Sequence, residues 1–358
     1  MRFYMPTKLY SEINCVEKHS RELASLGKHA LIVTGKSSSK QNGSLDDVIS
    51  ALKKHSVAYT VFDRTEENPS VETVMAARDI GLECGADFII GIGGGSPLDA
   101  AKAAALMIKN SDMPWEFLYE DSPAEALPLA AVPTTCGTGS EVTGVSVLTR
   151  HDMHTKVSAK HKIFPQLALT DGKYLLSARQ KIIINTSIDT ISHLIESGIN
   201  SLADTYSDMT VFKGLSVWKS CRPYISGEKK LTEEAAHMLM DSAALGGMSI
   251  AQTGTTIPHS LSYMLTYSAG IPHGAAVGAF QAKYLKYADK TRQKAILEAA
   301  GFSDTEELGD FISSLSPVSA DRSLLEKSAE TVMKNQAKLV LCPYKIDEKI
   351  MEDIITLH

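Results

Sequence analysis

The stretch richest in chemistry is "NTSIDTISHLIE", Asn185 to Glu196, where an aspartate and a histidine stand four residues apart among isoleucines and leucines. Ile188, Ile191, Leu194 and Ile195 recur at helical spacing, which predicts an amphipathic helix. Asp189 and His193 then share a face, one turn apart. Such a pair is either a polar contact in a groove or two of the ligands of a metal. His259 in "TIPHSLSY" and His273 in "GIPHGAAVGAF" each follow a proline near an element start, as capping or core histidines also do. With Asp189 and His193 they would make a mixed oxygen and nitrogen site, which suits Fe(II) or Zn(II) better than magnesium or calcium. His237 and Asp241 repeat the spacing in reverse, a warning that it is cheap. His151 and His154, in "RHDMHTK", read as an exposed connection between strands.

A second kind of chemistry lies in the glycines of "DFIIGIGGGSPLDAAKAAAL", which reads as a buried strand, a turn and a helix start. Ser96 suits the N-cap, Pro97 the first helical position, and Asp99 a capping-box-like partner. Gly93, Gly94 and Gly95 let the backbone approach a ligand, and the helix N-terminus offers amides and a positive dipole end to a phosphate. The fit to GxGxxG is imperfect, because Ser96 stands where the third glycine would be, and a plain helix-capping turn is the alternative. Downstream, "PTTCGTGSEVTG" (Pro133–Gly144) reads as a polar loop after a short strand, able to offer hydroxyls and amides to ribose or phosphate, or simply as a turn. Cys136 has no His, Lys or Arg nearby in sequence and reads as a packing residue.

These residues need elements to hold them. Strands are expected at Ala30–Gly35, Ala58–Asp63 and Asp87–Gly94, alternating with helices at Ser44–Lys54, Val71–Cys84 and Pro97–Lys109. That rhythm argues for a parallel sheet with helices on both faces. After Gly172 strand signals nearly vanish, and Ala235–Ala251, Ala275–Ala288 and Leu324–Lys338 carry helical periodicity. The chain has 358 residues, more than one ordinary core accommodates, so two domains are expected. They are an α/β domain over 1–172 and an all-helical domain over 173–358. A net charge of -6 without Lys/Arg runs argues against nucleic acid as partner. No apolar run reaches the roughly 20 residues of a membrane span, and "MRFYMPTKLY" lacks the apolar core of a signal peptide. Cys15, Cys84, Cys136, Cys221 and Cys342 are scattered without a CxxC, the pattern of a reduced, cytoplasmic protein.

Taken together and in order, "GGGSPLDAAK", "PTTCGTGSE", "IDTISHLIE" and "HSLSYMLTYSAGIPHG" resemble the iron-containing (group III) alcohol dehydrogenases, across nearly the whole chain. The resemblance implies a dinucleotide-binding α/β domain followed by a helical metal-binding domain of the dehydroquinate-synthase-like architecture, with NAD(P) and the metal in the cleft. It carries over Asp189, His193, His259 and His273 as metal ligands. It also implies that Gly94, Gly95 and Ser96 hold the pyrophosphate with Asp99 supporting the turn, that Thr134, Thr135 and Thr143 line the nicotinamide side, and that Lys156 lies near the cofactor, although Lys160 and Lys162 are close by. Two positions depart from the family pattern. Tyr263 stands where many members have a histidine assigned to proton relay. Gly35 stands where many have an acid that holds the adenosine ribose. Gly35, Ser37, Ser38, Ser39 and Lys40 instead make an environment that accepts a 2′-phosphate.

The reading is therefore a metal-dependent alcohol dehydrogenase acting on small alcohols and as a reductase of small aldehydes or ketones. It is expected to prefer NADP(H) over NAD(H), to use Fe(II) or Zn(II), and to be a homo-oligomer (a dimer), with no nucleic-acid or membrane partner. Tyr263 is the candidate proton donor, against the simpler reading that it shapes the substrate pocket. Two rivals remain: a dehydroquinate-synthase-like lyase or cyclase with bound NAD and zinc, and a metal-binding protein without catalysis. Against the first, no Arg or Lys stands between His259 and His273 to grip an anionic substrate.

Overall fold

The computed structural model describes residues 3–357. The chain divides into two compact units. One comprises Met5–Ala178 with Thr232–Met240, and the other comprises Arg179–Leu231 and residues 241–357, together with Phe3 and Tyr4.

The first unit carries all eight strands found among the described residues: β1 (Lys8–Ser11), β2 (His29–Gly35), β3 (Ala58–Thr65), β4 (Phe88–Gly93), β5 (Leu129–Pro133), β6 (Val147–Arg150), β7 (Thr155–Ser158) and β8 (Leu167–Thr170). Six of them form a parallel sheet in the order β1-β8-β5-β4-β2-β3, and β6 and β7 form an antiparallel hairpin. Alternate residues of the central strands enter two separate cores. Leu31, Val33 and Ile89 pack with Leu106 and Val74 on one face, while Ile32, Ile90 and Ile92 pack with Val48 and Leu52 on the other. Burial on both faces is why these strands read as near-continuous apolar runs. The helices Ser44–Lys54, Val71–Glu83 and Gly95–Lys109 follow β2, β3 and β4, with ends within about two residues of those expected from the sequence.

From β2 the chain passes to β3 on one side and then to β4 on the other. The strand order therefore reverses between β2 and β4, and in open α/β sheets the crevice beyond the carboxyl ends of the strands at such a reversal is where ligands bind. Thr34 pairs with Ile92 and Gly93 with Pro133, so β2, β4 and β5 end level and their loops emerge side by side.

One expectation fails at this edge. The third helix begins at Gly95 with Gly94 as N-cap, and neither Ser96 nor Asp99 caps it. The chain turns at Gly93, whose φ of +146° is open to glycine, earlier than a serine cap requires. Ser96 Oγ instead accepts the Asn68 amide at 3.0 Å, and the Asp99 carboxylate points to a later loop. The amides of Gly95 and Ser96 thus fall in the first turn, where a helix has no internal acceptors for them, and Pro97 has no amide to satisfy.

The second unit is helical. Its central element is Gln180–Ile199, in which every residue from Ser187 to Ile199 is buried. The sequence predicts an amphipathic helix, but here the polar face is packed as completely as the apolar one. Trp218 Nε1 donates to the Ser187 carbonyl at 2.8 Å on one side. On another, the helix His273–Lys286 comes so close that a Cβ on Gly274 would lie 1.8 Å from the Asn185 carbonyl oxygen. The helix Ile257–Ala269 supplies a third wall. No helix among the described residues is long and apolar enough to cross a membrane.

Candidate functional site

A buried carboxylate among imidazoles needs compensation, and the second unit collects one aspartate and three histidines at a single point. Asp189 and His193 lie one turn apart on the central helix, His259 sits in the first turn of Ile257–Ala269, and His273 opens the helix His273–Lys286. Asp189 Oδ1 is 3.8 Å from His193 Nε2, 3.5 Å from His259 Nε2 and 3.7 Å from His273 Nε2. Asp189, His193 and His259 are each about 3 % exposed, whereas the His273 side chain is 26 % exposed and closes the open side. Asp189 Oδ1 and His259 Nε2 are buried with no hydrogen-bond partner. Orphaned groups of this kind are rare in folded proteins. A cation bonded at about 2.1 Å to tetrahedral ligands sets those ligands roughly 3.4 Å apart, and one here would satisfy both atoms at once. The residues present fit a divalent metal.

Behind His259 stands Glu196, fully buried and wholly engaged. Its Oε1 accepts from His259 Nδ1 at 2.5 Å and from Gln281 Nε2 at 2.8 Å. Its Oε2 accepts the Thr256 amide at 2.6 Å and the Thr256 hydroxyl at 2.7 Å. Thr256 is the N-cap of the His259 helix, so the carboxylate also rests on the positive end of that helix. Holding Nδ1 as donor presents Nε2 toward Asp189, the outer-shell arrangement of metal-binding histidines. Burial opposes ionisation of Asp189, but the imidazoles of His193, His273 and His259 hold its carboxyl well below the usual range. Burial likewise opposes protonation of His259, yet Glu196 and Asp189 together push it up to about 9. Two carboxylates around one imidazole make a place for positive charge. Glu196 and Gln281 escaped the sequence reading, although Glu196 lies seven residues after Asp189 and three after His193, on their face of the helix. His237 proves structural: its Nδ1 accepts the Gly172 amide at 3.3 Å and its Nε2 lies 3.2 Å from Ser11 Oγ. His151 and His154 occupy the exposed turn between β6 and β7.

Tyr263 follows His259 by one turn, is half-buried, and lays its ring near that of His273, centroids 6.3 Å apart and planes at 29°.

In the first unit, the loops after β2, β4 and β5 bring the other candidates to one edge. Gly35 ends β2, and Ser37, Ser38 and Lys40 are exposed on the short turn that follows, while Ser39 is buried and accepts from Thr34 Oγ1 at 2.8 Å. A Cβ on Gly35 would meet only the Thr65 carbonyl at 3.5 Å and Ser38 Oγ at 4.0 Å, ordinary contacts. Lys40 pairs with Asp63 of β3 at 2.6 Å, an acid the sequence did not suggest. Gly94 and Gly95 press on the β5 loop, since a Cβ would come 2.9 Å from Thr135 Oγ1 and 2.7 Å from Thr138 Cγ2 respectively. Thr134 and Thr143 are buried and Thr135 is half-buried. Lys156, buried on β7, reaches Asn68 Oδ1 at 3.2 Å, whereas Lys160 and Lys162 are exposed. Asn68, held at φ +54°, also accepts from the Thr149 hydroxyl at 2.7 Å, and so ties the hairpin to the Ser96 turn. Asp99 does not brace that turn; its Oδ1 accepts from Ser140 Oγ at 2.6 Å and its Oδ2 from the Val147 amide at 2.8 Å.

Two family models match. "Iron-containing alcohol dehydrogenase" covers residues 6–172, and "Fe-containing alcohol dehydrogenase family, C-terminal" covers residues 183–355. An NADPH-dependent butanol dehydrogenase of Clostridium saccharobutylicum is 29 % identical over 304 residues, 83 % of this chain and 76 % of its own length. An NADH-dependent butanol dehydrogenase B of Clostridium acetobutylicum is 27 % identical over 292 residues, 80 % and 74 % of the two chains. Among solved structures, an iron-containing alcohol dehydrogenase from Thermotoga maritima superposes with a TM-score of 0.91 at 34 % identity, covering 99 % of this chain and 98 % of that one. These matches favour the dehydrogenase over the synthase-like rival.

Removing a ligand should remove the metal. His273→Ala is expected to abolish stable iron or zinc binding, and Glu196→Gln to weaken it by about 10- to 100-fold through loss of the outer-shell carboxylate charge. His151→Ala and His154→Ala should leave metal content unchanged; elemental analysis after dialysis reads all four, and full occupancy in the His273 variant would defeat the assignment. Because a proton on His259 must leave before a cation is held, metal affinity should rise with pH and level off above about 9, close to tenfold per unit below it. A flat profile between pH 6.5 and 8.5, by competition with a chelator whose own pH dependence is known, would contradict this.

Proposed function

The chain belongs to the iron-containing alcohol dehydrogenase family and is an NAD(P)-dependent oxidoreductase, and from that premise we propose an NADPH-preferring reductase of small aldehydes and ketones that also oxidises small alcohols. Residues 1–172 would bind the dinucleotide and residues 173–358 the metal. One observation carries the proposal: Asp189 Oδ1 lies within 3.8 Å of three imidazole nitrogens while Glu196 fixes one of those rings from behind. The relatives include both NADPH- and NADH-dependent enzymes, so the cofactor preference rests on this chain's own loop. No disulfide joins the five cysteines, in keeping with a cytoplasmic enzyme, and a homodimer is the assembly we expect.

A divalent iron or zinc ion bound here supplies Lewis acidity toward a carbonyl oxygen, and the reduced nicotinamide supplies the hydride. The protein does the placing. Asp189 is the only anionic ligand, and His193, His259 and His273 bind as neutral donors, so the set leaves net positive charge where charge develops on the substrate oxygen. Glu196 holds the tautomer of His259, and Gln281 and Thr256 hold Glu196. On the cofactor side, the first-turn amides of Gly95 and Ser96 would take the pyrophosphate, and Gly94 lets it approach. Thr134, Thr135 and Thr143 would line the nicotinamide, and Lys156 would add a cation beside it. Ser37 and Ser38 offer hydroxyls to a 2′-phosphate, and Lys40 an ammonium that would have to leave Asp63, with Gly35 leaving the space an acid would fill.

Gly35→Asp places a carboxylate where the backbone has room for one, and should shift the ratio of kcat/KM for NADPH over NADH by about tenfold or more toward NADH, by like-charge repulsion. Equal efficiency with both cofactors in the unmodified protein would refute the preference.

The product oxygen also needs a proton, and a well-placed general acid contributes about 10²–10⁴-fold. Tyr263 presents its ring to His273, which fits a wall of the substrate pocket better than a donor. Tyr263→Phe keeps the ring and is expected to change kcat less than about tenfold, well short of what loss of an acid costs. A hundredfold fall with metal content and NADPH binding intact would make Tyr263 the donor.

A further inference from the structure

One lysine in the first unit has no part in the reaction so described. Lys102 lies on the helix that begins at the glycine turn, and it is fully buried. Its Nζ donates to Ser140 Oγ at 2.6 Å, to the Val145 carbonyl at 2.8 Å and to Thr143 Oγ1 at 3.4 Å, and stands 3.7 Å from Asp99 Oδ1. Asp99, three residues earlier, accepts from Ser140 Oγ and from the Val147 amide, and its own main-chain carbonyl accepts from Ser146 Oγ at 2.7 Å. Apart from the Asp99–Lys102 pair itself, every one of these partners belongs to Ser140–Val147. Only its first residues, Ser140–Val142, form a helical turn, and a β-strand starts only at Val147.

An ammonium has three N–H donors and accepts nothing, so it can gather several oxygens of an irregular segment that no ladder would organise. Burying it is costly unless those oxygens are all in place, and a hydrocarbon of the same volume would fill the space without that demand. Burial draws Lys102 down to about 8, against the pull of Asp99 and Glu141, which leaves it mostly charged at neutral pH. The investment is therefore in the arrangement of the segment more than in filling the core.

We propose that Lys102, together with Asp99, is a positioning residue for the cofactor: one helix offers its N-terminal amides to the pyrophosphate and, a turn or two later, fixes the Ser140–Val147 segment that lines the nicotinamide. Both ends of the dinucleotide are then registered from a single rod. The contact of Gly94 and Gly95 with Thr135 and Thr138 tightens the same junction. This inference rests on the reading that the β5 loop lines the nicotinamide.

The test compares whole and truncated cofactors on the full-length, metal-loaded protein. NADPH and NADH carry the nicotinamide; ADP-ribose 2′-phosphate and ADP-ribose lack it but reach the adenosine and pyrophosphate sites. The unmodified protein should bind the whole dinucleotide more tightly than its truncated counterpart. In Lys102→Met that advantage should shrink by about tenfold or more, as loss of charge-assisted hydrogen bonds implies, with the truncated ligands bound as before. Ser140→Ala, which deletes only the hydroxyl shared by Lys102 and Asp99, should do the same to a smaller extent, and it decides alone if Lys102→Met does not fold. Truncated and whole ligands weakening in parallel would show that Lys102 merely supports the domain, and an undiminished advantage in the folded variants would show that the segment needs no clamp. Either result overturns the inference while leaving the cofactor site standing. If the unmodified protein shows no advantage for the whole dinucleotide, the nicotinamide reading itself fails, and this inference with it.

Discussion

A carboxylate shut away from water must find all of its hydrogen bonds inside the protein, and the demand is heaviest when a second carboxylate is buried nearby. Glu196 and Asp189 are in that position on one helix. Glu196 is satisfied by Thr256, His259 and Gln281, which come from outside its own helix, so two neighbouring helices are held in register by its two oxygens. Asp189 is left with three imidazole nitrogens at non-bonding distance. Charge compensation at that point comes from protonated imidazole or from a divalent cation that takes its place. The complete burial of Ser187–Ile199 keeps water from the polar face and so maintains the demand that orders the site.

The sheet unit meets a different constraint. Parallel strands cannot be joined by tight hairpins, so each connection is a crossover and each loop at the carboxyl end is free to differ. The reversal between β2 and β4 sets three such loops side by side. A turn without side chains after β4, hydroxyls after β5 and an uncrowded glycine at the end of β2 are then brought to one edge by topology, although the sequence separates them by about a hundred residues.

What the sequence revealed follows the range of the interactions. Strands β2, β3 and β4 and the helices that follow them were readable because each is specified locally, by apolar runs and by period. Strands β1 and β8 were not, being four residues each and defined by pairing with partners distant in sequence, β1 with β8 and β8 with β5. Ser96 does not cap its helix because Gly93 has already turned the chain and Asn68, 28 residues earlier, takes the serine, a partner that local capping rules do not register. Asp189, His193, His259 and His273 could be nominated from their residue types and placed together by family resemblance. Glu196 could have been nominated from its helical face, but Gln281, Asn68 and Asp63 matter only through partners distant in sequence, and no local pattern singles them out.

The two units spend buried charge in the same way. Asp99 and Lys102 in one, Glu196 and His259 in the other, sit where an apolar pair would pack at lower electrostatic cost. In each case one member holds a segment that has no periodic hydrogen bonding of its own: the Ser140–Val147 segment in the first unit, the cap of the His259 helix in the second. Apolar contacts tolerate small slides with little change in energy, whereas a hydrogen-bonded charge in a medium of low polarity does not. A hydride transfer is sensitive to such slides, because an ångström of misplacement at the reacting atoms costs orders of magnitude in rate. Buried ion pairs are poor devices for stability but good ones for position. Their placement behind the glycine turn and behind His259 fits a protein in which those two places must not move.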